Sequence, residues 1–362
     1  MSNRFTAIRD DLRARIARGD LVPGACLPAR PALARHYGVA LATLERAIAG
    51  LLASGELTAV NGRGTFVGDP AHAPMTQPVV PDGARLGIVG EWGPDALVGG
   101  DGAWDPLLLA AIEHHASTRG LISTTVDRWR AGPWQAVGDA CAAAVAAGAD
   151  ALIVIGTGHD EAIVDEARRA AGSRPLVYLA GRALDRPLAQ ATVDNRRTGL
   201  LAAEHLLALG PDLIVCCAPY RTRWQDERME GLAGAVRRAL PAPALALGSG
   251  EDVTECCSNA IAAGKGVAVF ASNDEAALAV ADALHVRGFT AGRDYALLGV
   301  DDRPEARIAG LSTLRLDSDG LGAAAIRLVL RTLGGDALPA LEAVSMLLVR
   351  RASTAIHLGS PR

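Results

Sequence analysis

The stretch VNGRGTFVGDP, Val60 to Pro70, sets Arg63 between two closely spaced glycines, ahead of a β-branched and aromatic run. Glycines let a backbone approach a phosphate closely, and a guanidinium offers an oxyanion a rigid fork of donors. The loop lacks the G-x-x-x-x-G-K-[ST] and G-x-G-x-x-G spacings that wrap a nucleotide, and those loops open a helix. Here Asn61-Gly62 joins two short β-type runs, ELTAV and GTFVG, which is a hairpin signal. A hairpin with no partner is the plain alternative. Three further polar clusters follow apolar runs: Thr157-Gly158-His159-Asp160, Ser272-Asn273-Asp274 and Asp301-Asp302-Arg303.

Constellations for covalent chemistry are weak. Lys265 is the only lysine, so a pyridoxal-phosphate enzyme has one candidate for its Schiff base, in AAGKGVAVF just ahead of a strand. GSGED, Gly248 to Asp252, lacks the second glycine of a serine nucleophile elbow. His114 and His115 point about 100° apart on a helix and cannot share a metal as an i, i+4 pair does. The six cysteines include the adjacent pairs Cys216–Cys217 and Cys256–Cys257 and show no C-x-x-C spacing. Reduced, buried thiols are the expectation. No enzyme activity, cofactor or metal site is expected.

The elements that must position these residues are legible in the pattern. Ile8, Leu12 and Ile16 mark a first helix, ended by Gly19; ARPALARHYG is a short helix with Pro31 in its first turn. Leu44, Ile48, Leu51 and Leu52 mark a longer helix that Gly55 ends, and the hairpin follows. Two helices joined by a tight turn at Gly38 form a helix-turn-helix, and a glycine-rich hairpin after it forms a wing. The phosphate that Arg63 faces is then that of DNA, or Arg63 enters the minor groove. Through residue 70 nine arginines outnumber six acids, a net +3, which leaves −7 for the rest of a chain whose total is −4. A basic head on an acidic body suits a protein that grips a duplex at one end.

Residues 69–84 hold four prolines and no periodicity, an extended linker. Beyond it, apolar runs such as RLGIVGEW, ALIVIGT, DLIVCCAP and YALLGVDD alternate with Ala/Leu-rich helices. That order predicts α/β architecture with parallel sheets covered on both faces, and ligands at the carboxyl ends of the strands. With 362 residues, two or three domains are expected. No apolar run reaches the ~20 residues that span a bilayer. The polar start, MSNRFTAIRDDLRARIARGD, has no apolar h-region, and a cytoplasmic protein without membrane contact is the expectation.

Residues 4–68 resemble the winged-helix domain of the gluconate-repressor (GntR) family. The marks are GDLVPGxxLP, LARHYGV and GxLTxxxGRGTFV. The resemblance implies double-stranded operator DNA as partner. Arg30, Thr43 and Arg46 would contact it from the helices, and Gly62, Arg63, Gly64 and Thr65 from the wing. The recognition helix departs from the family pattern: Ala40-Leu41 and Glu45 stand where members usually carry base-reading arginines, and Pro31 stands where arginine is common. Each lost arginine removes about 1–3 kcal/mol of base discrimination, so no relative's operator can be assumed. A head that has lost DNA binding and only dimerises is the alternative.

The remainder resembles the effector domain of the lactose/galactose-repressor (LacI) family, two α/β lobes joined by three crossovers around a cleft. DPLLLAAIEHHASTRG, VDNRRTG, ERMEGLAGAV, VFASNDEAALAVADALHVRGF and YALLGVDDRPEARI fall in the family's order. The implied architecture is a winged helix-turn-helix domain over 1–68, the linker, and an effector domain over 85–356. Its first lobe would hold about 85–190 and 317–335, its second about 191–316 and 336–356. The usual hinge helix is absent. Head and body together look like the arabinose-repressor type of GntR regulator. The match puts Arg228 at the family's ligand-clamping arginine, Asn273 and Asp274 at its hydroxyl-binding Asn-Asp, and Asp301 at the aspartate of GVDD. Guanidinium, amide and carboxylate together suit a polyhydroxylated ligand, a sugar or sugar acid. Trp104 and Asp105 fall at the start of the first cleft helix, where the family's aromatic pair is replaced by Leu107-Leu108; Trp104 either stacks on a sugar ring or packs in the core. His159 is a further candidate beside the cleft. A homodimeric, ligand-responsive repressor is the expectation.

Overall fold

The computed structural model describes residues 4–18, 21, 27, 30–60, 64–68, 83–91, 106–128, 136–156, 161–219, 222–239, 245–248, 251–335 and 340–359. The chain divides into two units, Met1–Gln77 and Pro78–Arg362.

The first unit is three helices and a hairpin. Ile8 and Leu12 of helix Arg4–Ala17 and Leu33 of helix Arg30–Tyr37 meet Leu44, Ile48 and Leu51 of helix Leu41–Ala53 in one small core. Gly38 turns the second helix into the third at a φ of 61°, and Gly55 ends the third at 75°, a left-handed region glycine enters without strain. Strands β1 (Leu57–Val60) and β2 (Gly64–Val67) pair antiparallel from Leu57↔Val67 to Val60↔Gly64, and Leu57 and Val67 close the core. Polar ties brace it. Arg13 grips Glu56 at 2.5–3.1 Å, and the Tyr37 hydroxyl donates to Asp11 at 2.6 Å. The Arg13 guanidinium holds the Glu56 carboxyl well below its usual range, at about 2.

The second unit holds two six-stranded sheets. The first, in order β13-β7-β6-β5-β3-β4, is all parallel: β3 is Arg85–Gly90, β4 Ile122–Asp127, β5 Ala151–Gly156, β6 Leu176–Ala180, β7 Ala189–Val193 and β13 Ala340–Val344. The second, in order β14-β12-β11-β10-β8-β9, comprises β8 Leu213–Cys217, β9 Leu245–Gly248, β10 Val267–Ala271, β11 Ala296–Val300, β12 Ser312–Arg315 and β14 Leu347–Val349; only β14 runs antiparallel. Helices cover both faces of each sheet, with separate apolar clusters on either side. That is why β5, β6, β10 and β11 are buried at every position and read as unbroken apolar runs.

The chain passes between the sheets three times, at residue 194, at 316–317 and at 345–346. The last passage differs from the sequence expectation. Residues 340–344 were assigned to the second lobe, yet β13 pairs with β7 in the first sheet, Ala340↔Ala189 to Val344↔Val193. The 191–193 end of β7 belongs to the first lobe for the same reason. A parallel partner for the edge strand β7 outweighs the sequence proximity of 340–344 to β14.

Candidate functional site

At the carboxyl ends of β8, β10 and β11 the second lobe gathers a polar cluster around Arg228. Helix Arg223–Ala239 carries it, and the residue is 6% exposed. Nε donates to Asn195 Oδ1 at 2.9 Å and an Nη to the Ser272 carbonyl at 3.0 Å, while the Trp224 ring lies 4.5 Å from its carbon. Among the described residues no ion pair closes on this cation. Burial holds its pKa down at about 10, against the opposing pull of Asp301 and Glu227. Gln225 is 1% exposed; its Nε2 donates to Ser272 Oγ at 2.8 Å, and its Oε1 is buried with no hydrogen-bond partner among the described residues.

The packing behind Arg228 is backbone against backbone. A Cβ on Gly199, in helix Asn195–Leu207, would overlap the Arg228 carbonyl oxygen, and one on Gly231 would overlap that of Arg196. The two helices cross with a glycine from each at the contact. Only hydrogen fits there.

Other expected ligand residues divide by environment. Asn273 caps helix Asp274–Val286, its Oδ1 accepting from Ala276 N at 2.9 Å, which leaves its Nδ2 outside the cap bond. Asp274 is fully buried and its two oxygens accept from Arg303 N at 2.9 Å and Thr313 Oγ1 at 2.8 Å. It braces the β11–β12 end rather than facing a cleft, and burial raises its pKa to about 6. Asp301 is exposed at a φ of 114°, and Asp302, at 57°, is buried. Asp302 binds Arg351 at 2.6 Å and Arg307 at 3.3 Å, with Arg315 at 3.9 Å. Trp104, Asp105 and His159 lie outside the described residues. Sequence reading missed Asn195, Trp224 and Gln225, although VDNRRTG and the residues just before ERMEG contain them.

In the first unit, Leu41, Ala42, Glu45 and Arg46 are exposed along helix Leu41–Ala53. Arg46 stacks its guanidinium on Phe5 at 4.9 Å, and Arg30 lies 3.8 Å from Glu45. Ala40 caps the helix without a side-chain acceptor, which leaves first-turn N–H groups without a side-chain bond. Thr43 is half-buried. Thr65 departs from the expected surface role: its side chain is 7% exposed and its carbonyl accepts from Leu27 N, so it braces the hairpin from within. Gly64 opens β2, while Gly62 and Arg63 at the tip lie outside the described residues.

Comparison with known proteins decides the domains. The profile of bacterial regulatory proteins of the gntR family matches residues 5–67, and that of the periplasmic binding protein-like domain matches 203–354. A gntR-family head precedes a periplasmic-binding-protein-like body. Within the head, the mannosyl-D-glycerate transport/metabolism system repressor MngR of Escherichia coli K12 is 38% identical over 63 residues. That match covers 17% of this chain, and the chain spans about a quarter (26%) of that relative's length. The body shares its fold with LacI-family regulators. One from a Rhodococcus species is 24% identical with a TM-score of 0.56, over 76% of this chain and 99% of that one. Another, from Enterococcus faecium with bound ribose, is 20% identical with a TM-score of 0.51, over 75% and 98%. The head's profile is that of bacterial regulatory proteins, and the body has the fold of LacI-family regulators. No described helix is long and apolar enough to cross a membrane.

Proposed function

We propose that the chain is a cytoplasmic, ligand-responsive transcriptional repressor. Two copies would set their winged helices on a palindromic operator, with half-sites about one helical turn apart. The body would bind a sugar or sugar acid between its lobes, and effector that prefers one lobe orientation would shift operator affinity. A 10- to 100-fold shift requires only about 1.4–2.8 kcal/mol of differential binding. The observation that carries this reading is Arg228: a buried cation with no described ion pair, at the carboxyl ends of parallel strands, beside the spare amide of Asn273. The names of the similar proteins agree in kind, one a repressor of a glycoside system and one a regulator holding ribose.

The test is fluorescence anisotropy of the full chain on duplex taken from upstream of its own gene, against random-sequence duplex. Aldohexoses and their aldonates are then added. Preferential binding that one of these compounds changes at least tenfold is expected, and Arg228→Ala should abolish that change while leaving operator binding intact. Equal affinity for both duplexes under every compound would refute the proposal.

A further inference from the structure

Asn195 occupies the first position of helix Asn195–Leu207, one residue past the first passage between lobes, and is 1% exposed. Its amide is used on both sides. Nδ2 donates to the Gly181 carbonyl at 2.7 Å, at the carboxyl end of the first-lobe strand β6; Oδ1 accepts from Arg228 Nε at 2.9 Å in the second lobe. Longer contacts run from Nδ2 to Val193 O and Glu227 Oε2, each 3.5 Å. An unbroken hydrogen-bonded path thus leads from Gly181 through Asn195 and Arg228 to the Ser272 carbonyl. Asp194 caps the same helix by accepting from Arg197 N at 2.8 Å, which fixes the turn that presents Asn195.

We infer that Asn195 is the positioning residue that couples the Arg228 site to the first lobe, so that a ligand on Arg228 changes lobe orientation through it. This rests on the effector reading above only for the identity of what occupies the site. Two features make the path mechanical. The Gly199 and Gly231 contacts leave the two helices no slack, so a shift of Arg228 carries helix Asn195–Leu207 with it. The carboxamide also donates from one atom and accepts at another, so a single side chain serves both lobes. A ligand that recruits the Arg228 fork withdraws Nε from Oδ1, frees the amide to turn, and weakens the bond to Gly181.

Asn195→Asp separates the two sides. It keeps an acceptor for Arg228 and replaces the donor to Gly181 with a second oxygen. Spin labels on non-canonical residues at exposed Asp139 in the first lobe and Asn259 in the second would report interlobe distance in the full chain. Dilution with unlabelled protein restricts the signal to intrachain distances. The expected result is a broadened or shifted distribution in ligand-free Asn195→Asp, with the melting transition still cooperative. Asn195→Ser, which loses both bonds without adding charge, gives the same expectation should the aspartate variant fail to fold. A distribution that matches the parent's in the folded variant overturns the inference, whether or not any sugar binds. The arm with aldohexoses and aldonates is read separately. A compound that shifts the parent's melting point should still shift that of Asn195→Asp, yet should no longer change its affinity for upstream duplex; a retained change of parental size also overturns the inference. A panel that shifts neither protein counts against the effector reading and leaves the distance result to decide this one.

Discussion

Gly199→Ala is the sharpest stability test of the ligand platform. A methyl group there would overlap the Arg228 carbonyl oxygen and sit 2.8 Å from its carbon and 2.9 Å from Leu232 N. Ordinary van der Waals contact for such atoms is about 3.5–4.0 Å, so the helices must part by roughly an ångström. The obstacle is backbone, not the end of a flexible side chain. Overpacking of this kind costs about 1–3 kcal/mol and occasionally more, and two backbones in direct contact place it at the upper end. At about 2–4 °C per kcal/mol for a domain near this size, the melting point of the body should fall by roughly 6–12 °C. Parting the helices also carries Arg228 away from Asn195 and Ser272, so effector response should drop although residue 199 touches no ligand. Differential scanning calorimetry and the anisotropy titration read the two effects. A melting point within about 2 °C of the parent's, with full response, would refute the helix-contact reasoning.

Three further outcomes are expected. Arg63→Ala should weaken operator binding and reduce the salt slope by about one counterion, as measured by anisotropy across a salt series; an unchanged slope counts against the wing assignment. Glu45→Ala should strengthen binding to any duplex and steepen the salt slope, because it removes an exposed carboxylate 3.8 Å from Arg30; unchanged binding and slope would place that helix face away from DNA. Asp274 has its pKa raised to about 6 in the folded chain, so the folded state holds that proton more tightly than the unfolded one. Its contribution to stability is greatest below the ordinary carboxylate range and declines as pH rises toward 6, by up to about 3 kcal/mol at 1.36 kcal/mol per unit. Asp274→Asn should flatten the chemical-denaturation profile between pH 4 and 6.5 relative to the parent, and parallel profiles would refute the assignment.

How far the sequence revealed this molecule depended on which residues carry the burial. β5, β6, β10 and β11 were legible because helices cover both faces and every side chain is apolar or small. β7 was not, since its buried Gln190 and Thr192 break the apolar run; Gln190 is satisfied by bonds to the Leu184 and Arg186 backbone, which sequence does not display. The short β13 was not legible because its partner β7 lies far back in the chain, in the other lobe from the segment that follows. In the site, Arg228 and Asn273 were marked by motif, and the structure brings Arg228 to Ser272 beside Asn273. Asn273 and Asp274 look alike in sequence, yet the first caps its helix through one oxygen while both oxygens of the second are taken by Arg303 N and Thr313 Oγ1. Thr65 was misassigned for a related reason. Alternation along a hairpin decides which face a residue takes, and at Thr65 that face is inward.

On the proposed function, the turn at Asp301-Asp302 would make ligand geometry and lobe orientation one variable. These are the only non-glycine residues with positive φ among those described. Such a conformation costs of order 1–3 kcal/mol and persists only where its surroundings over-determine it. Asp301 N is held by Leu314 O and Asp302 N by Thr313 Oγ1, and the Asp302 carboxylate gathers Arg307, Arg315 and Arg351. Arg315 is the last residue of β12, immediately before the second passage between lobes, and Arg351 follows β14 shortly after the third. The carboxylate neighbour of a proposed ligand residue is therefore tied to two of the three connections, and Asn195 is tied to the remaining one. A ligand that moves either end of the cluster acts on the chain where it changes lobe, so no separate relay through the lobe cores is required.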